Sequence, residues 1–510
     1  MKVLFATSEC APLVKTGGLG DVSAALPPAI AALGHEVMLL MPAYADMPLQ
    51  GRITGWFPVP AEGPWPAAQL LRVDRGEGVP LLLLACPQLY ARSGPPYADA
   101  AGVEHPDNAL RFGLLSRVAA LIGTPRSPCG WTADIVHAND WPTALAPLYL
   151  RQWRDAAGAA DRSRIAASMV TVHNLAFQGV VPMDWASRLG IGGAYLGVHD
   201  GAEFWGKLSM MKAGLQFADA ITTVSPTYAR EIQTPELGFG LDGVLRTRAD
   251  RLQGILNGID TDIWNPLRDP LIEAPFSADR LAGKAACKAA LRRTLGLAED
   301  DKRMLFGLVG RFTEQKGIDW VIAGAERLVC QGGQLAILGS GDRALETALR
   351  ALAQKHPQHV RVTVGFDEAL AHQIEAGSDS FLMPSRFEPC GLNQMYSQAY
   401  GTPPVVTPTG GLADSVTDAA APGGGGTGFV MQGGSQAAFD EAVARALACW
   451  KDTPDTWRRL QRNGMQRDFG WPASARAYVR AYTGILPGAD ADPQGAPALS
   501  YKAGTAAAEY

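Results

Sequence analysis

The sequence predicts two doubly wound α/β domains in tandem. Three observations carry this: short apolar runs alternate with helical patterns along the whole chain, glycine-rich turns follow several runs directly, and 510 residues exceed one ordinary core. In the first half, Val3 to Thr7, Val37 to Met41, Leu81 to Ala85, Ile135 to His137, Met169 to Val172 and Ile221 to Val224 read as strands. In the second, Met304 to Val309, Leu335 to Leu338, Val360 to Val364, Phe381 to Met383 and Pro404 to Val406 read as buried parallel strands. A boundary falls near Asn257-Gly258-Ile259-Asp260, after which Pro266, Pro270 and Pro275 interrupt any regular element, giving domains 1–256 and 257–469. Pro472 to Ile485 reads as a last helix, and 486–510 has the Gly, Ala, Pro and Asp composition of a disordered tail. Trp56 to Pro66 reads as a proline-interrupted surface excursion and Gly423 to Gly426 as a flexible loop.

Composition narrows the function. Hydrophobic residues make up 47% and charged ones 19%, which supplies buried sheets. A net charge of −5 argues against a nucleic-acid partner, since such proteins neutralise phosphates with a basic face. Seven cysteines without CxxC spacing read as reduced thiols, which points to the cytoplasm. A strand rather than a basic-then-apolar leader opens the chain, and no apolar run nears the ~20 residues of a membrane span, so neither secretion nor a membrane partner is expected. No HExxH or His-rich cluster occurs, and no protein-held metal is expected.

Several strand ends carry groups suited to a phosphorylated sugar. Lys15-Thr16-Gly17-Gly18-Leu19-Gly20-Asp21 opens a helix: glycines allow close backbone approach, the helix start presents free amides, and Lys15 adds a charge. After the strand Met304 to Val309, Arg311 offers a planar fork and Lys316 a compact charge for a diphosphate leaving group. In Pro384-Ser385-Arg386-Phe387-Glu388-Pro389-Cys390-Gly391-Leu392, Glu388 is a carboxylate at a strand mouth, able to hold sugar hydroxyls or offset charge at an anomeric carbon. Thr409-Gly410-Gly411 is a third glycine turn suited to phosphate or sugar oxygens. In the first domain Asp140 and Asn174 can divide hydroxyl hydrogen bonds, Trp141 and Tyr97 can offer flat faces to sugar rings, and His173 can bond a hydroxyl. His137 reads as a structural histidine.

Taken together, KTGGLGDV, HNLAFQG, KAGLQFAD, TTVSPTYAREI, LNGID, GRFTEQKG and SRFEPCGLNQ, in that order, closely resemble the bacterial glycogen synthases and plant starch synthases, retaining glycosyltransferases of family five. The resemblance runs from Lys2 to about Tyr482. It implies a GT-B architecture of two Rossmann-like domains across a cleft, ADP-glucose as donor, an α-1,4-glucan such as glycogen or a maltooligosaccharide as acceptor, no further cofactor, and a C-terminal helix at about 470–485 that crosses back to the first domain. It also implies roles. Lys15 with Gly17 and Gly18 lies near donor phosphate and acceptor; Arg311 and Lys316 bind the diphosphate; Glu388, Cys390, Gly391 and Leu392 lie beside the donor glucose. His173, Asp140, Asn174 and Asn257 surround the sugars, and Phe366 stands where a tyrosine often stacks on adenine. Departures from the family pattern are Ala43, Thr407 and Pro408 in place of arginines and Asn139 in place of a histidine, which put donor affinity and acceptor preference in question. Competing readings are a related transferase using UDP-glucose and a glucan-binding homologue with impaired turnover. Oligomeric state is left open.

Overall fold

A computed structural model describes residues 1–48, 51–76, 78–99 and 102–486. The expected disordered tail, Leu486 apart, lies outside the described residues.

Among the described residues twelve strands form before the linker: β1 (Lys2–Ala6), β2 (Glu36–Pro42), β3 (Arg52–Val59), β4 (Ala68–Asp74), β5 (Leu81–Ala85), β6 (Ile135–Asn139), β7 (Ala167–Val172), β8 (Val180–Pro182), β9 (Glu203–Phe204), β10 (Lys207–Ser209), β11 (Ala220–Thr223) and β12 (Leu252–Gly254). Nine of them make one sheet, ordered β12-β11-β7-β6-β1-β2-β5-β4-β3, and β8-β10-β9 make a small antiparallel one. After the linker come β13 (Met304–Val309), β14 (Gly333–Gly339), β15 (Val360–Val364), β16 (Ser380–Met383), β17 (Pro404–Val406) and β18 (Phe429–Val430), in a parallel sheet ordered β15-β14-β13-β16-β17-β18.

The burial pattern explains why these runs become central strands. In β1, Leu4 and Ala6 enter one apolar cluster while Val3 and Phe5 enter another, so both faces are covered. In β13, Met304, Phe306 and Leu308 pack on one side and Leu305 on the other. A strand buried on both faces needs an unbroken apolar run. Strand C-termini of both sheets thereby point their following loops at a common cleft, the usual ligand position in such folds.

One expectation is corrected. Part of the predicted excursion at Trp56 to Pro66 is strand: β3 pairs antiparallel with β4, and β4 with β5, so the first sheet has an antiparallel edge. Trp56 is exposed there, and Gly55 and Pro58 are tolerated because an edge strand lacks a second partner.

The last helix, Trp471–Thr483, packs on the first sheet. Trp471, Ala475, Tyr478 and Tyr482 recur at helical spacing and enter the cluster holding Val3, Phe5, Val22, Leu26 and Ile30. Tyr482 Oη lies 2.8 Å from Nδ1 of the fully buried His137, whose Nε2 meets Thr171 Oγ1 at 2.6 Å. His137 is thus structural. Among the described residues no helix is long and apolar enough to cross a membrane.

Candidate active site

The second-domain motifs are clamped to each other. Lys316, at the end of the turn Glu314–Lys316, ion-pairs with Glu388, and Ser385 Oγ donates to the same Glu388 carboxylate at 3.0 Å. Arg386 grips Asp319 with both terminal nitrogens at 2.8 and 2.7 Å and lies over the Trp320 ring, while its amide donates to Gln315 O and Gln315 Nε2 donates to Phe387 O. Sequence reasoning passed over Gln315, Asp319, Ser385 and Arg386, although three of them lie inside the motifs it used. Gly317, at φ +67, allows the Pro384 carbonyl to approach: a Cβ there would sit 2.0 Å from that oxygen. Arg311 is exposed, and its side chain has no hydrogen-bond or ion-pair partner among the described residues.

Cys390 is buried beside Asn257, and burial pushes its thiol up to about 12, so it stays protonated and unreactive. Asn257 Oδ1 is buried without a partner among the described residues, an acceptor left open. Gly391 (φ +68) and Leu392 lead into the helix Asn393–Ala399, whose Asn393 Nδ2 donates to Val309 O and so ties that helix to the end of β13.

Thr409, Gly410 and Gly411 are placed differently from expectation. The Gly410 amide and Thr409 hydroxyl donate to the Glu231 carboxylate at 3.0 and 2.9 Å, and the Gly411 amide donates to Glu388 O. Cβ atoms at 410 and 411 would sit 1.9 Å from the carbonyl oxygens of Glu388 and Cys390. This turn is glycine-rich to pack under the Glu388 loop, and its Gly410 and Gly411 amides are already engaged by protein oxygens, which corrects the expectation that they are open to phosphate or sugar oxygens. The same region joins the domains: Ser225 Oγ donates to Pro389 O, and Thr227 bonds Asp414 through both amide and hydroxyl.

In the first domain, Lys15 pairs with Asp21 at 2.8 Å at the start of the helix Gly18–Ala31. Gly18 faces the second domain, its Cβ position lying 4.0 Å from Leu392 Cδ1, and nothing lies within 4 Å of that of Gly17. Opposite them stands the Phe366 to Glu368 segment: His372, 3.6 Å away, holds the Glu368 carboxyl below its ordinary range, with Lys15 adding to the effect against partial burial. Phe366 is 82% exposed.

Asp140 follows β6 with φ 56, and its Oδ1 accepts from the amides of His173 (2.9 Å) and Asn174 (3.4 Å). Burial raises its carboxyl to about 7 against those two hydrogen bonds. His173 Nε2 lies 3.0 Å from Asn139 Oδ1, and Asn139 Nδ2 donates to Ala6 O. That network assigns the His173 proton to Nε2 and leaves Nδ1 as an acceptor. Burial lowers the His173 imidazole to about 3, so it is neutral throughout the physiological range. Asn139 therefore fills a positioning role with an amide.

The two aromatic residues are less open than expected. Tyr97 spends its hydroxyl on Glu9 Oε1 (2.5 Å) and Ser8 Oγ (2.7 Å), and its ring packs on Phe112 and Trp141. Through Glu9, which accepts from the amide and hydroxyl of Thr16, Tyr97 braces the loop beside Lys15. Trp141 meets Phe112 edge-on, and Gly179 lies against its indole: a Cβ there would be 2.5 Å from the ring. The expectation of two free stacking faces is corrected accordingly.

Comparison with known proteins adds to this geometry. Residues 2–247 match the model of the starch synthase catalytic domain, and residues 288–467 that of glycosyl transferases group 1. The chain is 81% identical to a glycogen synthase of Paracidovorax citrulli over 511 aligned positions, covering 100% of both, and 52% identical to one of Aromatoleum aromaticum, covering 95% and 97%. It is similar to the catalytic domain of starch synthase IV from Arabidopsis thaliana bound to ADP and acarbose (TM-score 0.82, 34% identity, 95% and 99% coverage), and its two facing sheets form the GT-B fold. With motifs, fold and full-length likeness in agreement, the chain belongs to the glycogen and starch synthase family of glycosyltransferases.

Proposed function

We propose that the chain transfers glucose from ADP-glucose to the non-reducing 4-hydroxyl of an α-1,4-glucan, with retention of configuration and release of ADP. The observation that carries this reading is the pairing of Lys316 with Glu388 at the ends of neighbouring strands, close in sequence to an Arg311 whose guanidinium has no partner among the described residues. Arg311 and Lys316 neutralise the charge that grows on the departing diphosphate, both standing on the loop that follows β13. Gly17 supports a close ligand: its φ of −163 suits any residue and none of the described residues crowds it, so its small size serves what enters the cleft. Phe366 offers its exposed ring to the adenine.

Retention follows from attack on the face the diphosphate leaves. A phosphate oxygen of the leaving group takes the proton of the incoming hydroxyl, while Glu388 acts as an electrostatic and positioning group beside the oxocarbenium-like centre. Asp140, Asn174, Asn257 and the free Nδ1 of His173 hold sugar hydroxyls. The neutralising charge comes from side chains, so ADP-glucose and the glucan are the partners this reading requires. All seven cysteines are free, as suits a protein of the reducing cytoplasm.

The test is incorporation of glucose into a glucan primer from ADP-glucose against UDP-glucose. Preference for ADP-glucose is expected; preference for UDP-glucose, or no incorporation from either, overturns the proposal.

A further inference from the structure

The two loops that carry Lys316 and Glu388 are laced together residue against residue. Arg386 Nη1 donates to Glu314 O, the Arg386 amide donates to Gln315 O at 2.8 Å, Gln315 Nε2 donates to Phe387 O at 3.2 Å, and the series ends on the ion pair of Lys316 with Glu388. The outermost contact has its own anchor. The Arg386 fork meets both Asp319 oxygens, at 2.8 and 2.7 Å, at the start of the helix Ile318–Cys330, and its guanidinium lies 4.3 Å from the centre of the Trp320 ring. Beneath the series, Gly317 admits the Pro384 carbonyl and Thr407 Oγ1 donates to Ser385 O. Arg386 is thus a cation beside the Glu388 loop whose fork is engaged by protein groups.

We propose that Arg386 and Asp319 are positioning residues of the transfer step: their bidentate contact fixes the register of the two loops and so the placement of Lys316 against Glu388. The inference rests on the roles given to Lys316 and Glu388 above. A fork held at two oxygens and over an aromatic face allows one orientation, which a single ammonium could not enforce. Each side chain of the pair is 36% exposed, so its removal changes overall stability little. Its effect falls on geometry. Lys316 stands between Glu314 and Asp319, both held by Arg386, and misplacing a reacting group by about 1 Å can cost about 10²-fold in rate.

The test measures kcat, melting temperature and amide hydrogen exchange for Arg386→Ala, Asp319→Ala, the double variant and Arg386→Lys. Each alanine variant should lose roughly 10- to 100-fold in kcat, with the KM for glycogen within about twofold and the melting temperature within about 3 °C of wild type. The double variant should lose about as much as the worse single one, since both changes remove one contact. Arg386→Lys keeps the charge without the fork and should recover only part of the rate. A kcat within about twofold of wild type in either alanine variant or in Arg386→Lys, losses that multiply in the double variant, or a rate loss matched by a large fall in melting temperature overturns the inference. Exchange reads the loops without turnover: amides in 312–317 and 385–391 should exchange faster in both alanine variants, and unchanged protection sinks the proposal. If wild type transfers no glucose, the donor reading fails on its own account and exchange still decides the brace.

Discussion

The ammonium of Lys316 and the carboxylate of Glu388 form an ion pair joining the loops that follow β13 and β16. Removing either partner strands the other in a half-buried or buried position and takes a preorganised charge from the reacting centre. Lys316→Ala and Glu388→Ala are each expected to lower kcat by roughly 10²- to 10³-fold, measured as initial rates of ADP release with glycogen. Either variant working at near wild-type rate would remove the role assigned to it.

What the sequence reveals here depends on burial. Met304 to Val309 matches β13 residue for residue, since a parallel strand covered on both faces needs a continuous apolar run; Val360 to Val364 matches β15 through its alternating valines, but that strand is the sheet's edge and Arg361 is exposed, so it is not the fully buried strand expected. β3, with Gly55 and Pro58, gives no such signal because an edge strand tolerates both, and β8 to β10 are too short to show a period. In the site, Lys316 and Glu388 were legible as strand-end residues. Thr409-Gly410-Gly411 was misread because local pattern cannot distinguish a glycine that admits a ligand from one that admits the Glu388 and Cys390 carbonyls. The engagement of Gly410 by Glu231 spans 179 positions, a pairing set by domain packing.

Phe366 tests the nucleotide end of the cleft. Its ring is 82% exposed, so Phe366→Ala should leave thermal stability unchanged. Loss of stacking is expected to raise the KM for ADP-glucose about fivefold to tenfold, with the KM for glycogen unaffected. Phe366→Tyr keeps the aromatic face and should keep the affinity. A Phe366→Ala enzyme with unaltered donor KM and unaltered inhibition by free ADP would remove adenine stacking from the account.

Asp140 gives a pH signature. Its carboxyl is raised to about 7, so the folded protein holds the proton more tightly than the unfolded chain does. The associated stability is fully present below the ordinary aspartate range and is lost as pH climbs through about 7. Asp140→Asn cannot ionise and escapes that loss. Its melting temperature should exceed that of wild type most clearly at pH 8, with the advantage shrinking as the pH falls toward 4. His173, lowered to about 3 by burial, costs both proteins the same stability as pH falls through the ordinary histidine range, so it cancels in the comparison. Parallel pH profiles for the two proteins would show that Asp140 titrates normally.

The hydroxyl of Tyr482 probes how the last helix completes the first domain. It meets Nδ1 of a His137 that is fully buried and that burial keeps neutral, lowered to about 3. Tyr482→Phe preserves the ring contacts with His137 and Tyr478 but leaves the imidazole nitrogen unpaired, which should cost about 1–3 kcal/mol. Ending the chain at Gly470 removes Trp471, Ala475, Tyr478 and Tyr482 from the cluster around Val3 and Phe5 and exposes that apolar face. The truncated protein should bind a hydrophobic dye and aggregate, whereas Tyr482→Phe should unfold at lower denaturant with kcat intact below its transition. A truncated chain as stable as the full one would show that the helix is an appendage and that His137 is satisfied without it.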